Sequence, residues 1–130
     1  FNMITDEGKK AIARLIASSF NKMDLGDGSD TTNPRQTSLD STVLTAKQTS
    51  TNTVVSDTVI EFTKQFTGSQ IQGNTISELG IFGDSDTETI PNSGTWADIQ
   101  NKLLSRVTFT SQGPFSSSDQ ITFTLKVEVE

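Results

Sequence analysis

The chain has 130 residues, 16 acidic against 10 basic side chains, a formal net charge of −6, and neither cysteine nor histidine. This length predicts one domain, and the missing residue types exclude disulfides, thiolate zinc sites and Ser-His-Asp catalysis. The negative charge would repel a phosphate backbone, so we expect no direct nucleic-acid binding. No apolar run approaches the roughly 20 residues of a membrane-spanning helix.

The N-terminus predicts an amphipathic helix from about Asp6 to about Ala17. Thr5 is the expected N-cap, and Asp6 and Glu7 place negative charge in the first turn, where the helix dipole favours it. Apolar side chains recur at helical spacing and form one stripe, which we expect to pack against a sheet or against a neighbouring copy. The stripe consists of Ala11, Ile12, Leu15 and Ile16.

A short strand is predicted over Phe20–Leu25. The glycines of Gly26-Asp27-Gly28 end it, and a polar loop that contains Pro34 follows. Leu39–Leu44 indicates a turn of helix or an edge segment. Weak alternation over Thr45–Ser50 indicates an exposed strand.

The longest predicted strand covers Val54–Thr67. Ile60, Phe62 and Phe66 share a parity there and should line one face. Gly68–Gly73 is predicted to be a turn.

The next predicted strand, Thr75–Phe82, carries Ile76 and Ile81 at opposite parity. We therefore expect a bulge or kink near Gly80 that lets both side chains be buried, because glycine inside a strand often marks such a feature.

The C-terminal third begins with a second polar loop at Gly83–Gly94. Trp96–Asn101 is consistent with a short helical turn, and Lys102–Thr110 with a strand. The final segment, Gln120–Glu130, alternates cleanly between apolar odd-numbered residues and polar even-numbered ones, which predicts a strand with one face in the core.

One helix followed by five or six antiparallel strands predicts a mainly β fold. The expected architecture is a small antiparallel β-sandwich, one domain over residues 1–130, with the N-terminal amphipathic helix covering one end. A partly open barrel is the alternative.

Two acidic loops are candidate calcium sites. Asp24, Asp27 and Asp30 flank two glycines at a spacing that calcium loops use, but the closing glutamate of an EF-hand is missing. Asp84, Asp86 and Glu88 form a similar cluster. Solvated turns are the simpler interpretation of both, because Asp-Gly pairs are ordinary turn formers. The expectation is therefore no cofactor, with calcium at Asp24, Asp27 and Asp30 as a weak alternative.

Glu61 and Glu78 are candidates for a catalytic carboxylate pair. Glu61 is more simply an outward residue of its strand. A buried Glu78 would need a cationic partner, for which Arg106 and Lys102 are the candidates. Without histidine, no nucleophile-base pair can be assembled with confidence, so we expect no enzymatic activity and no catalytic residues.

Several motifs follow one another along the chain, each occurring once. They are the opening segment Ile4–Ala13, the strand leading into Gly26-Asp27-Gly28, the Asn33-Pro34 loop with Thr37-Ser38-Leu39, the strand ending in Glu78–Phe82, and the last two strands. In this order they resemble a family of tailed-virus structural proteins, which comprises the tail-collar, tail-fibre-base and baseplate-associated proteins of phages and related archaeal viruses.

This resemblance implies a virion structural protein, a homo-oligomeric subunit of the tail at the collar, baseplate or fibre base. The implied partners are other copies, in a trimer or larger ring, and other virion proteins. Two departures from the family pattern, a longer polar segment between Gly83 and Leu103 and no fibre within these residues, leave a capsid-surface decoration or turret protein as an alternative.

We expect the subunit interface to involve the helix and the two polar loops, because virion subunits often use helices and loops as contacts. The candidate interface residues are Ile12, Leu15, Ile16, Asp27, Pro34 and Trp96. A host-surface glycan-binding module is the alternative from a different class, with Trp96 as a stacking platform.

Overall fold

The strands form two antiparallel sheets in a computed structural model that describes residues 2–84 and 99–130. One sheet has the order β2-β1-β5-β6 and the other β3-β4-β7, and every pair of neighbours is antiparallel. The mainly β fold with one N-terminal helix confirms the predicted small sandwich. The elements are α1 (Asp6–Ser19), β1 (Lys22–Gly26), β2 (Gln48–Thr49), β3 (Thr51–Ser56), β4 (Val59–Thr67), α2 (Gly68–Ile71), β5 (Ile76–Phe82), β6 (Leu103–Gln112) and β7 (Gln120–Glu128).

The core lies between the two sheets. Alternate side chains of each strand enter it, as the period of two requires, and the predicted face of β4, formed by Ile60, Phe62 and Phe66, is fully buried. The facing sheet contributes Met23, Leu25, Leu79 and Ile81.

Helix α1 starts at the expected residue but packs through a different face. Thr5 Oγ1 accepts a hydrogen bond from the Gly8 N–H at 3.1 Å, as an N-cap does. Ala13 is fully buried, whereas Leu15 is 65% exposed and Ala11 is exposed too, so these two residues of the predicted stripe do not pack on the sheet. The reason is close docking on β3 and β4, which favours the small Ala13 at the contact.

The predicted strand over Val54–Thr67 is two strands. Residues Asp57 and Thr58 form a tight turn between β3 and β4, which pair as an antiparallel hairpin. Ser and Asp are turn-forming residues, and folding back at this point gives β4 a neighbour on each side. Further along, the predicted turn at Gly68–Gly73 contains the single helical turn α2.

Strand β5 is buried along its whole length. Its pairing with β6 is irregular on both sides of Gly80, between Ile76 and Glu78 and between Ile81 and Phe82, rather than at the glycine itself. The first irregularity allows Ile76 to join Leu79 and Ile81 in the core.

The remaining segments are less regular than predicted. Leu39–Leu44 is irregular chain with one isolated bridge, between Gly26 and Thr42. The strand predicted over Thr45–Ser50 is reduced to β2. Most of the second polar loop, together with Trp96, lies outside the described residues.

The two edges of the sandwich differ. Along the edge that carries β3, α1 closes the end, and Asn52 Nδ2 donates to the carbonyl oxygens of Ala17 and Phe20 at 2.8 Å each. At the opposite edge, β6 and β7 are the last strands of their sheets.

No helix in the described part of the chain is long and apolar enough to cross a membrane.

Candidate functional site

The outer face of the four-stranded sheet is covered by residues 27–47, which we call the covering loop. Leu39 of this loop is 6% exposed, and a Cβ on Gly80 would lie 2.8 Å from its Cδ2 atom. The Lys47 ammonium lies 4.5 Å from the centre of the Phe82 ring, a cation–π contact. The loop therefore makes β5 a strand that is buried on both faces.

A buried carboxylate anchors the covering loop to the sheet. Glu78 Oε1 accepts hydrogen bonds from Arg106 Nε at 2.8 Å and from the Asp40 N–H at 2.9 Å. Its Oε2 accepts from the N–H groups of Gly28 at 2.7 Å and Ser41 at 3.0 Å. The start of the loop at Gly28 and its later part at Asp40 and Ser41 are thus held by one side chain that is 0% exposed.

Arg106 extends this arrangement. Its Nη1 donates to the Asp30 carbonyl at 2.7 Å and to Thr32 Oγ1 at 2.9 Å, and its Nη2 contacts Asp40 Oδ2 at 2.9 Å. We call the side chains of Glu78, Arg106 and Asp40 the Glu78 cluster. Of the two candidate cations, Arg106 is therefore the one that pairs with Glu78.

The electrostatics of the cluster favour permanent charge. Burial by itself would raise the pKa of Glu78, but the Arg106 guanidinium and the N–H groups of Asp40, Ser41 and Gly28 together hold it below its usual value. A carboxylate that is already ionised and accepts four hydrogen bonds is a poor general acid or base near neutral pH. The arrangement is suited to fixing the loop.

Glycine at positions 26 and 28 leaves room for the carboxylate and the loop. A Cβ on Gly28 would overlap Glu78 Oε2, and a Cβ on Gly26, the last residue of β1, would overlap the Ser41 carbonyl oxygen and lie 2.6 Å from Glu78 Oε2. The Gly-x-Gly pattern is therefore the signal of the Glu78 cluster in the sequence. Two other residues of this site, Asp40 and Ser77, were not identified from the sequence. The Ser77 Oγ donates a hydrogen bond to the Gly28 carbonyl oxygen at 2.7 Å.

The three candidate calcium-binding aspartates have different environments. Asp24 is 5% exposed, and burial raises its pKa. Asp27 and Asp30 are exposed. Within residues 2–84 and 99–130, no group of three or more acidic side chains is arranged to hold a metal, and calcium at this loop stays a prediction. Of the second acidic cluster, only Asp84 is described.

Glu61 and Glu78 do not form a carboxylate pair. Glu61 is adjacent to the inward-facing Ile60 and Phe62, so it lies on the outer face of its sheet, where Lys126 approaches it at 3.9 Å. Glu78 lies on the outer face of the other sheet. The core of the sandwich separates them, which removes the geometry that carboxylate catalysis needs.

An apolar groove runs between the edge strands β6 and β7. We call it the open seam, and its volume is about 490 Å³. Phe109 and Phe123 lie 6.0 Å apart there, centroid to centroid. Phe123 is 8% exposed, but the other apolar members are only half-buried. The seam consists of Val107, Phe109, Ile121, Phe123 and Leu125. Its signal in the sequence is the unbroken apolar parity of β7, a pattern that predicts a core face.

A polar groove of about 450 Å³ lies between the covering loop and the start of β6. Its walls include Pro34, Gln36 and Asn101, and its continuation beside Thr32 and Ser105 is also polar. Its lining offers hydroxyl and amide groups together.

The described candidate interface residues lie on α1 and on the covering loop. Leu15 is exposed on α1, Ile12 is half-buried, and Ile16 packs on the core. Asp27 and Pro34 are exposed on the covering loop. Trp96 lies outside the described residues.

Comparison with models of known protein families finds no match, and comparison with curated protein sequences finds none either.

Proposed function

We propose that the chain is a structural protein of a tailed virus, a homo-oligomeric subunit of the tail at the collar, baseplate or fibre base. The observation that carries the proposal is the contact between two of the motifs on which the sequence resemblance rests. The Gly26-Asp27-Gly28 segment wraps the carboxylate of Glu78, the first residue of the Glu78–Phe82 motif. Motifs far apart in sequence thus serve one structural purpose.

The chemistry of the described residues supports a structural role. The buried charged groups Glu78 and Arg106 are engaged in hydrogen bonds that fix a loop, and an apolar groove lies at a sheet edge. A rigid sandwich with fixed loops and apolar edges is a suitable unit for symmetric assembly.

The proposal is tested on virus particles. Virus particles would be collected from cells that carry the encoding genome. Gold-labelled antibodies against the purified chain would be applied to these particles, which would then be imaged by electron microscopy. Gold on tails is the expected result. Gold on the capsid surface would favour the decoration or turret alternative, and particles without gold, from cells that make the chain, would overturn a virion role.

The polar groove supports a second candidate, binding of host-surface glycans. Its Thr32, Asn33 and Gln36 side chains provide hydroxyl and amide groups of the kind that bind sugar hydroxyls. A glycan array probed with the purified chain tests this candidate. Each sugar that binds would then be titrated into the chain while the fluorescence of its single tryptophan is measured. Saturable binding that Gln36→Ala weakens would support it, and no binding at millimolar sugar would dismiss it.

A further inference from the structure

The open seam runs along a free edge of the three-stranded sheet. Strand β7 pairs with β4 on one side, and no strand among the described residues pairs with its other side. Leu79 also lines the seam, so the gap between the two sheets reaches β5, the neighbour of β6. One sheet has four strands and the other three. A fourth strand beside β7 would make the two sheets equal.

The backbone groups at this edge follow from the pairing of β7 with β4. The Gly68 N–H donates to the Asp119 carbonyl oxygen at 2.6 Å, and the Val129 N–H donates to the Thr58 carbonyl oxygen at 2.9 Å. The register between these two bonds is unbroken, and hydrogen-bonded pairs alternate along an antiparallel ladder. The odd-numbered residues of β7 therefore bond to β4, whereas the N–H and carbonyl groups of its even-numbered residues point to the free edge.

The seam brings these free backbone groups together with an apolar interior. Thr122, Thr124 and Lys126 line the seam. The side chains of the last two lie on the outer face of the sheet, where Thr124 Oγ1 is 2.9 Å from Thr63 Oγ1 and Lys126 Nζ is 3.9 Å from Glu61 Oε2. These residues therefore present main chain rather than side chain to the seam.

The other three edge strands are less suited to pairing with a further strand. Strand β2 has only two residues. Strand β3 has an irregularity between Val54 and Ser56 and contacts α1, and β6 departs from regular pairing at two points. Short strands, bulges and covering elements of this kind normally protect sheet edges. Strand β7 has nine residues, regular pairing throughout and no proline, so its edge lacks these protections.

We infer that the open seam binds an extended segment of another protein, which adds to β7 as a fourth strand. We call this segment the guest strand. In recognition of this kind, main-chain hydrogen bonds provide affinity and alternate side chains provide specificity. The free N–H and carbonyl groups of Thr122, Thr124 and Lys126 would pair with the guest strand, and every second side chain of the guest would enter the gap between the sheets.

The lining of the seam defines the chemistry of the guest strand. No acidic residue lines the seam, and its one cation, Lys126, directs its charge to the outer face. The side chains that enter the gap should therefore be apolar and uncharged. On the outer face, an acidic residue opposite Lys126 is favoured, because opposite charges on neighbouring strands attract.

A folded second copy does not meet these requirements. The apolar faces of β4, β5 and β7 are packed in the core of their own subunit, so none of these strands has apolar side chains free to enter the seam of another copy. The guest strand is therefore assigned to a different protein. This inference does not depend on the proposed virion role.

A synthetic peptide tests the inference on the full chain. The peptide Val-Glu-Val-Thr-Leu-Thr-Val, aligned antiparallel to β7 with its glutamate opposite Lys126, places its threonines opposite Thr124 and Thr122 and its apolar residues towards the gap. Binding would be measured by titration, and hydrogen exchange would be followed by NMR. We expect saturable binding and slower exchange of the amide protons of Thr122, Thr124 and Lys126.

Two methylated peptides separate strand addition from hydrophobic adhesion. N-methylation of both threonine amides removes two hydrogen bonds to β7 and should weaken binding about tenfold or more. N-methylation of the central valine and the leucine, whose amides point away from β7, is the matched control and should leave binding unchanged. Equal binding of the two methylated peptides would overturn the inference.

A variant of the chain tests the same edge from the other side. Thr124→Pro removes a donor that β4 does not use, a position at which sheet edges tolerate proline, and should weaken binding of the parent peptide. Thr124→Ala retains the N–H group and should bind normally. Thermal unfolding would show whether Thr124→Pro is folded, and the methylated peptides decide the question if it is not.

Two further results would overturn the inference. One is no binding of the parent peptide at millimolar concentration. The other is self-association of the wild-type chain that protects the same three amide protons without peptide, which would assign the seam to a second copy. Neither result concerns the position of the chain in a virus particle, so the gold-labelling experiment judges the proposed function separately.

Discussion

The Glu78 cluster and the open seam reverse the usual distribution of polar and apolar groups. The cluster buries two opposite charges, Glu78 and Arg106, with both side chains 0% exposed. The seam leaves Val107, Phe109 and Leu125 half-exposed. The two regions therefore have different roles. The hydrogen-bonded charges of the cluster fix the loop in one position, whereas the partly exposed apolar groups of the seam remain available for a partner.

The largest expected effect comes from removing the cation of the cluster. Arg106→Met leaves the Glu78 carboxylate buried without its ion partner, so we expect a loss of about 3–5 kcal/mol in the free energy of unfolding, measured with urea. The control is Lys10→Met, which breaks the exposed pair with Asp57 and should cost at most about 1 kcal/mol. Equal losses in the two variants would mean that burial does not distinguish the cluster.

A smaller loss is expected where the loop meets the carboxylate. Gly28→Ala introduces a Cβ within 2.5 Å of the Asp40 Cβ, and overpacking of this kind typically costs about 1–3 kcal/mol. Ser29→Ala, at the adjacent exposed position, should be nearly neutral. If Gly28→Ala were also neutral in urea unfolding, the loop would not be held as tightly as the distances indicate.

The seam should contribute little to the stability of the single subunit. Val107→Thr replaces a half-buried methyl by a hydroxyl that water can reach, so we expect a loss below about 1 kcal/mol at concentrations where the chain is dissociated. Ile81→Thr, at a fully buried core position, should cost about 2 kcal/mol or more. A larger loss at Val107 than at Ile81 would identify the seam as core rather than as a surface.

The smallest effect has the opposite sign. Burial raises the pKa of Asp24 above 3.8 in the folded state, so its ionised form destabilises the fold, and this penalty is fully present above the folded pKa and absent below the unfolded value. Asp24→Asn should therefore raise the free energy of unfolding at pH 7 and give no gain at pH 3. A gain of equal size at both pH values would exclude ionisation as the cause.

Glu78 shows the contrasting sign of the same linkage. Its folded pKa is lowered below 4.5, so the stability that its charge provides is present above that value and is lost as the pH falls through the folded pKa. The two buried carboxylates on one sheet face therefore act in opposite directions on acid stability. Measuring the free energy of unfolding of the wild type and of Asp24→Asn at both pH values separates the two contributions, because the variant lacks only the Asp24 carboxylate.

Local patterns in the sequence were sufficient for several elements. Alternation predicted β7, and the parity of Ile60, Phe62 and Phe66 predicted the buried face of β4, because a side chain's face follows directly from the strand period. Thr5 and the acidic first turn predicted the start of α1, since capping depends on neighbouring residues. The mainly β sandwich with one helix followed from these elements.

Only the tertiary structure decided the features that depend on distant contacts. Which face of α1 is buried depends on how closely β3 and β4 approach it, so Ala13 is covered and Leu15 is not. The turn at Asp57 and Thr58 divides a continuous β pattern, and the partner of Glu78 is 28 residues away on β6. The open seam exists because β6 and β7 end their sheets beside each other, an arrangement of strand order that periodicity along the chain does not contain.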